Sequence, residues 1–285
     1  MISTTAASRL RPNRLARRRQ SRVEHMRVAW IGLGAMGRPM ALAAAKAGHS
    51  VRGYARRPAE LAEIVSAGIP VTDNLFETAA YAEVACVTLF SEVQVREVVI
   101  DGGVLSALPT GSVLVLHSTV SPDFAQEVAA LRGDIAVLDA GFSGGPDEAA
   151  TGQLTLMVGG DAEALERSRS VLTSYGDHIA HLGPVGAGMT LKVINNLMFA
   201  ANIAIARDAL RLVDRQGLDL GTAVETLGRG SAGSMALRLL GRGGQPEATL
   251  DAIRHYLEKD VAIARDGARG LPLGALDGAT SEFVK

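Results

Sequence analysis

The sequence predicts an α/β protein: a doubly wound sheet, then a long interdomain helix, then an all-α C-terminal domain. Three observations carry that prediction. From Met26 onward, short β-branched runs alternate with helical patterns, which implies a parallel sheet covered on both faces. A glycine-rich turn stands between the first run and the first helix. Beyond Pro184 the alternation stops, and a single helical pattern runs from about Ala187 to Gln216 with no proline and no glycine after Gly188.

In order, "RVAWIGL" reads as the first strand, followed by a helix near Arg38 to Ala47, the strand "SVRGYA" and a helix near Ala59 to Ala67. "VACVTLF", "SVLVLHST" and "IAVLDAGF" are further strands with helical segments between them. "QLTLMVGG" and "HIAHLG" flank a helix that Asp161 is placed to cap. The long helix spans roughly 30 residues, about 45 Å at 1.5 Å per residue, enough to join two domains. Helical patterns separated by "GRGSAGS", "GRGGQPE" and "GLPLGALDG" complete the chain. The expected division is a disordered basic tail at 1–25, a nucleotide-binding domain at 26–185 and a helical domain at 186–285.

The chain has 285 residues, 47% hydrophobic and 21% charged, sufficient for a sizeable core. A net charge of -1 gives no reason to expect nucleic acid as a partner. Apolar segments read as too short and too interrupted by charge to cross a bilayer, so no membrane partner is expected and a cytoplasmic location is. Cys86 stands alone in an apolar run, which makes it core and fits a reducing compartment. The first 25 residues hold seven arginines and one glutamate. They read as a misplaced start ahead of Met26, a plain basic tail, or an organelle-import segment. Without them 22 basic residues face 29 acidic ones, so the basic character belongs to the tail.

After the first strand comes "GLGAMG", where Gly32, Gly34 and Gly37 make G-x-G-x-x-G with Leu33, Ala35 and Met36 between. Strand before and helix after are the context of a Rossmann dinucleotide site, in which the glycines allow the tight turn and close backbone approach to a pyrophosphate at a helix N-terminus. A site preferring NAD carries an acid at the end of the second strand; here the segment reads "SVRGYARRP", and Arg56 and Arg57 suit a 2'-phosphate instead. NADP is the expected cofactor, with NAD possible as an alternative.

"GPVGAGMTLKVINNLMFA" puts one lysine among small and apolar residues near the expected domain junction. Lys192 and Asn196 share a helix face, with Asn195 to the side. Desolvation there would lower the lysine pKa and let it exchange a proton with a hydroxyl, while Asn196 could hold the same oxygen. A lysine near a helix start can equally well snorkel into solvent.

Taken together, "IGLGAMGRPMA", "STVSP", "DAGFSGGPDEAATGQLTLMVGG", "GAGMTLKVINN" and "EKD" resemble the β-hydroxyacid dehydrogenase family. The motifs stand in the family's order from Gly32 to Asp260, about 80% of the chain. The resemblance implies a Rossmann domain, a long interdomain helix and a helical domain that commonly forms the oligomer interface, hence a homodimer or homotetramer. It implies Lys192 as the catalytic lysine, Asn196 as its partner, and Ser143, Gly144 and Gly145 as the loop that anchors a small carboxylate substrate. It further implies Thr119 near the nicotinamide and Lys259 reaching back over the cofactor. The expected reaction is NADP-dependent hydride transfer with a small β-hydroxy acid or its semialdehyde. An imine or other carbonyl reductase of the same fold and an inactive NADP-binding protein are the alternatives; imine reductases typically carry another residue at the position of Lys192.

Three departures from the family pattern stand out. "DAGF" replaces the usual Asp-Ala-Pro-Val, placing Gly141 and Phe142 beside the substrate. His117 stands where relatives commonly have an acid, and is either titratable near neutral pH or structural. Counted from Met26 the chain has 260 residues and stops where relatives usually continue for about another helix. No metal-ligand spacing and no nucleophile elbow appears, so no metal is expected.

Overall fold

Strand β1 (Arg27–Ile31) is apolar throughout after its first residue, and Val28, Ala29, Trp30 and Ile31 are fully buried, as a strand covered on both faces requires. It is followed by β2 (Ser50–Tyr54), β3 (Val71–Thr72), β4 (Val84–Val87), β5 (Val113–Leu116), β6 (Ala136–Ser143), β7 (Leu154–Gly159) and β8 (Gly176–His181). They form one sheet in the order β3-β2-β1-β4-β5-β6-β7-β8. The computed structural model describes residues 25–268 and 270–284, so the basic tail expected at 1–25 lies, apart from His25, outside the described residues.

The expectation of a wholly parallel sheet needs one correction. β6 and β7 pair antiparallel, with Asp139 opposite Gly159 and Ser143 opposite Thr155. Only residues 144–153 connect them, with the short helix Pro146–Thr151 inside, and a parallel return needs a crossover of a dozen residues or more. The two-residue β3 also went unpredicted, being too short to show any periodicity. Helix starts follow the sequence more closely. Asp161 accepts from the Ala164 N–H at 2.9 Å, and in "STVSP" Ser121 caps the helix Pro122–Leu131.

The long helix runs from Ala187 to Arg215. By length and composition alone it could cross a bilayer, which corrects the reading that every apolar segment is too short; 56% of its most apolar window is buried inside the protein. Its buried side packs first on β6 and β7. Further along, Leu197, Ile203 and Leu210 join Leu237, Leu250, Leu257, Val261 and Phe283 in the core of the helical domain. That domain is built from helices Leu220–Arg229, Met235–Gly241, Pro246–Gly267 and Ala275–Ala279.

A strand residue anchors this helix. Asp139, fully buried in β6, accepts from the N–H of Gly186 at 2.8 Å through Oδ1 and from that of Met189 at 2.6 Å through Oδ2. Burial pushes the carboxyl pKa up, and the backbone donors oppose that. The approach is close because both sides lack side chains: a Cβ on Gly188 would stand 2.4 Å from the Asp139 carbonyl oxygen, and one on Gly159 would stand 2.4 Å from Asp139 Oδ1. Replacing Asp139 by Ala strands two buried donors at the helix start. The expected loss is about 3 kcal/mol of unfolding free energy in a denaturant titration, with a smaller loss for Asp139→Asn, which keeps one acceptor.

Candidate active site

Every site residue expected in the first domain lies at the carboxyl end of a strand paired in parallel or just beyond it. The turn Gly32–Gly37 follows β1, beside β4 where the strand order reverses, the usual crevice of an open α/β sheet. Gly32 has φ +99°, and a Cβ there would meet the Thr88 carbonyl oxygen at 2.5 Å. A Cβ on Gly37 would lie 2.3 Å from Thr88 Oγ1. Thr88 braces the turn from just beyond β4: its hydroxyl donates to the Gly32 carbonyl at 2.5 Å and accepts from Trp30 Nε1 at 3.0 Å. Leu33 is buried, Met36 half-buried, and Gly34 and Ala35 exposed. Among the described residues nothing lies within 4 Å of a Cβ position on Gly34. An open glycine at the N-terminus of helix Gly37–Lys46 fits the pyrophosphate of a dinucleotide.

Arg56 and Arg57 follow β2 and are exposed, Arg57 in a surface ion pair with Glu60 at 2.7 Å. Thr119 follows β5 and is half-buried. Ser143 ends β6 and Gly144 follows it, both exposed, and Gly145 donates its N–H to Glu148 Oε2 at 2.8 Å, capping the helix Pro146–Thr151. A cavity of about 600 Å³, lined by Lys46, His49, Arg52 and Tyr81 among others, holds none of these residues and lies beside the start of β2, away from those carboxyl ends.

From the other side the long helix delivers Lys192 and Asn196. Four helical residues rise about 6 Å and two strand residues about 6.6 Å, so if Gly188 is seated at Asp139 the next turn brings Lys192 to Gly141. Lys192 is 9% exposed, and Nζ donates to the Phe142 carbonyl oxygen at 2.5 Å and lies 5.5 Å from the Phe142 ring centre. Burial lowers its pKa to about 8; the Asp260 carboxylate acts to raise it and Lys259 to lower it. An amine in that state exchanges protons at neutral to mildly alkaline pH. Asn196 Nδ2 donates to Asp260 Oδ2 at 2.6 Å, and Asn196 Oδ1 accepts from Asn195 Nδ2 at 2.9 Å. Lys259 Nζ is 2.7 Å from Asp260 Oδ1 and 5.7 Å from the ring centre of Phe90, in the loop after β4. Lys192, Asn196 and Lys259 are thus linked through Asp260, whose role the "EKD" motif alone did not reveal.

Two family models match the chain. The NAD binding domain of 6-phosphogluconate dehydrogenase matches residues 27–183, and the NAD-binding domain of NADP-dependent 3-hydroxyisobutyrate dehydrogenase matches residues 186–282. The chain is 34% identical over 266 residues to a 3-hydroxyisobutyrate dehydrogenase of Pseudomonas aeruginosa, covering 87% of this chain and 89% of that protein. It is 33% identical to an NAD-dependent L-serine dehydrogenase of the same organism, with the same coverage. Among solved structures, 3-hydroxyisobutyrate dehydrogenase of Mycobacterium tuberculosis with L-serine superimposes with a TM-score of 0.78 at 29% identity, over 91% of this chain and 92% of that one. The chain belongs to the β-hydroxyacid dehydrogenase family.

As a β-hydroxyacid dehydrogenase it is an NAD(P)-dependent oxidoreductase, and His117 has a structural place in it. His117 is fully buried. Its Nδ1 lies 2.7 Å from the Ala140 carbonyl oxygen, which can only accept, so Nδ1 carries the proton and Nε2 accepts from the Tyr175 hydroxyl at 3.0 Å. The ring stacks on Trp30 and meets Tyr175 and Phe142 edge-on. Burial lowers the imidazole pKa to about 4, with the Ala140 bond opposing, so it is neutral at physiological pH. Cys86 is core as expected, its thiol pushed up to about 12 by burial.

The unfolded chain takes up a proton at the ordinary histidine pKa of 6.5 that the folded protein refuses until about 4. Stability should therefore be intact above pH 6.5 and fall by up to about 3 kcal/mol from this group as pH drops to 4. Denaturation curves across that range should show the fall in the wild type and a shallower one in His117→Gln.

Proposed function

We propose that this β-hydroxyacid dehydrogenase oxidises the hydroxyl of a small β-hydroxy acid with NADP, or reduces the corresponding semialdehyde, with Lys192 as general acid/base. The carrying observation is the buried Lys192 amine, with its lowered pKa, resting on the Phe142 carbonyl at the carboxyl edge of the sheet. A neutral amine that donates one N–H to that carbonyl keeps its lone pair free to take the proton of a substrate hydroxyl. In the opposite direction the ammonium returns the proton to the oxygen formed on reduction. Asn196 spends one amide N–H on Asp260 and has a second to orient the same substrate oxygen. Hydride acceptor and donor chemistry belongs to the nicotinamide when it is bound.

The Ser143 hydroxyl and the Gly144 N–H are the donors of the substrate loop that suit a carboxylate, since the Gly145 N–H is already given to Glu148. NADP is favoured over NAD by the absence of an acid after β2 and by two exposed guanidinium groups there. The Arg57–Glu60 pair is exposed on both sides and should yield readily to a phosphate. A homodimer or homotetramer is supported by Leu191, Ile194, Met198, Ile205 and Leu212, which are 39–60% exposed at helical spacing along the long helix.

Purified protein should turn over a small β-hydroxy acid with a higher kcat/KM for NADP than for NAD, followed by reduced-nicotinamide absorbance. Lys192→Ala should lower turnover at least about a hundredfold and leave NADP affinity nearly unchanged. Full turnover in that variant contradicts the assignment of Lys192.

A further inference from the structure

The Lys192 stem meets β6 at Gly141. A Cβ built on Gly141 would stand 2.6 Å from Lys192 Cβ and 2.7 Å from its Cγ, against the 3.5–4.0 Å of ordinary carbon contact. Gly141 is not among the glycines with positive φ, so space and not backbone conformation opposes a side chain there. Lifting the helix does not make room cheaply. One turn earlier Gly188 lies so close that its own Cβ would be 2.5 Å from the Met157 carbonyl oxygen, and Asp139 grips the N–H groups of Gly186 and Met189. The separation of helix and sheet is therefore set before Lys192 is reached.

We propose that Gly141 is a positioning residue for Lys192: its bare α-carbon sets how deep the lysine stem lies on β6, and so seats Nζ on the carbonyl of the next residue, Phe142. The inference rests on the reading of Lys192 as general acid/base. The Gly141–Phe142 pair then serves one purpose from two sides. Gly141 supplies the depth and Phe142 supplies both the acceptor and an aromatic wall 5.5 Å from Nζ. A residue with a side chain at 141 must swing the stem outward, lengthening the Nζ to Phe142 contact and rehydrating the amine.

The test compares Gly141→Ala with the wild type in oxidation of the best β-hydroxy acid by NADP, measured from pH 6 to 10.5, alongside NADP binding. The expected result is unchanged NADP affinity, a kcat/KM at least about tenfold lower below pH 8, and a midpoint of the pH profile moved upward. A purely structural effect would lower the rate at every pH without moving the midpoint, and would overturn the proposal. Wild-type rate and midpoint in Gly141→Ala, with Lys192→Ala inactive, also overturn it while leaving the role of Lys192 standing. An active Lys192→Ala removes both. Should Gly141→Ala fail to fold, melting of Lys192→Gly with and without Gly141→Ala decides. Removing the stem should make the alanine tolerable, and a double variant that still fails to fold puts the conflict elsewhere.

Discussion

The grip of Asp139 on the start of the long helix is the interaction on which the rest of the site depends. A carboxylate in the middle of an apolar strand would be costly if it did nothing, and here its two oxygens are taken by backbone donors that a helix start leaves unpaired. Because Gly188 and Gly159 supply no side chains, the helix sits close on the sheet at this point. The match between one helical turn and two strand residues then passes that closeness on to Lys192 and Gly141. The same helix continues into the core of the second domain, so one contact sets both the depth of the lysine and the placement of the domain whose Asp260 holds Asn196.

Two buried bases lie near the end of β6, and their surroundings separate their roles. His117 is closed off on all sides, bonded at both ring nitrogens and pushed so low that it stays neutral; it holds the Ala140 carbonyl just before Gly141. Burial lowers Lys192 as well, with the Asp260 carboxylate opposing, but from the higher lysine value of 10.5, so it comes to rest near 8 and can still exchange a proton. Histidine thus stiffens the strand end on which the lysine rests.

Most of the architecture could be read from the chain. Short β-branched runs, the G-x-G-x-x-G turn and the uninterrupted pattern after Gly188 fix the sheet, the nucleotide turn and the long helix, because each depends on local sequence. The antiparallel β6–β7 pair was not legible, since it follows from the length of a connection and not from the strands themselves. Lys192 and Asn196 could be singled out by polarity on an apolar helix, whereas Asp260 could not be paired with Asn196 because 64 residues separate them. Asp139 did leave a signal, an acid inside "IAVLDAGF", but its meaning lies in a helix 47 residues later. Gly141 stands out as a departure from the family pattern, but the close approach of the Lys192 stem to it is a matter of packing between distant parts of the chain that the letter alone does not show.

The most direct measurement uses the fact that the chain has four lysines, Lys46, Lys192, Lys259 and Lys285. With lysine labelled by carbon-13 at Cε, an NMR titration resolves each amine, and the signal missing from Lys192→Arg identifies Lys192. A midpoint near 8 for that signal is the result expected of an amine buried against β6. A midpoint at the ordinary lysine value of 10.5 would mean that Lys192 is hydrated in solution, and would contradict the account of how the fold prepares it for proton transfer.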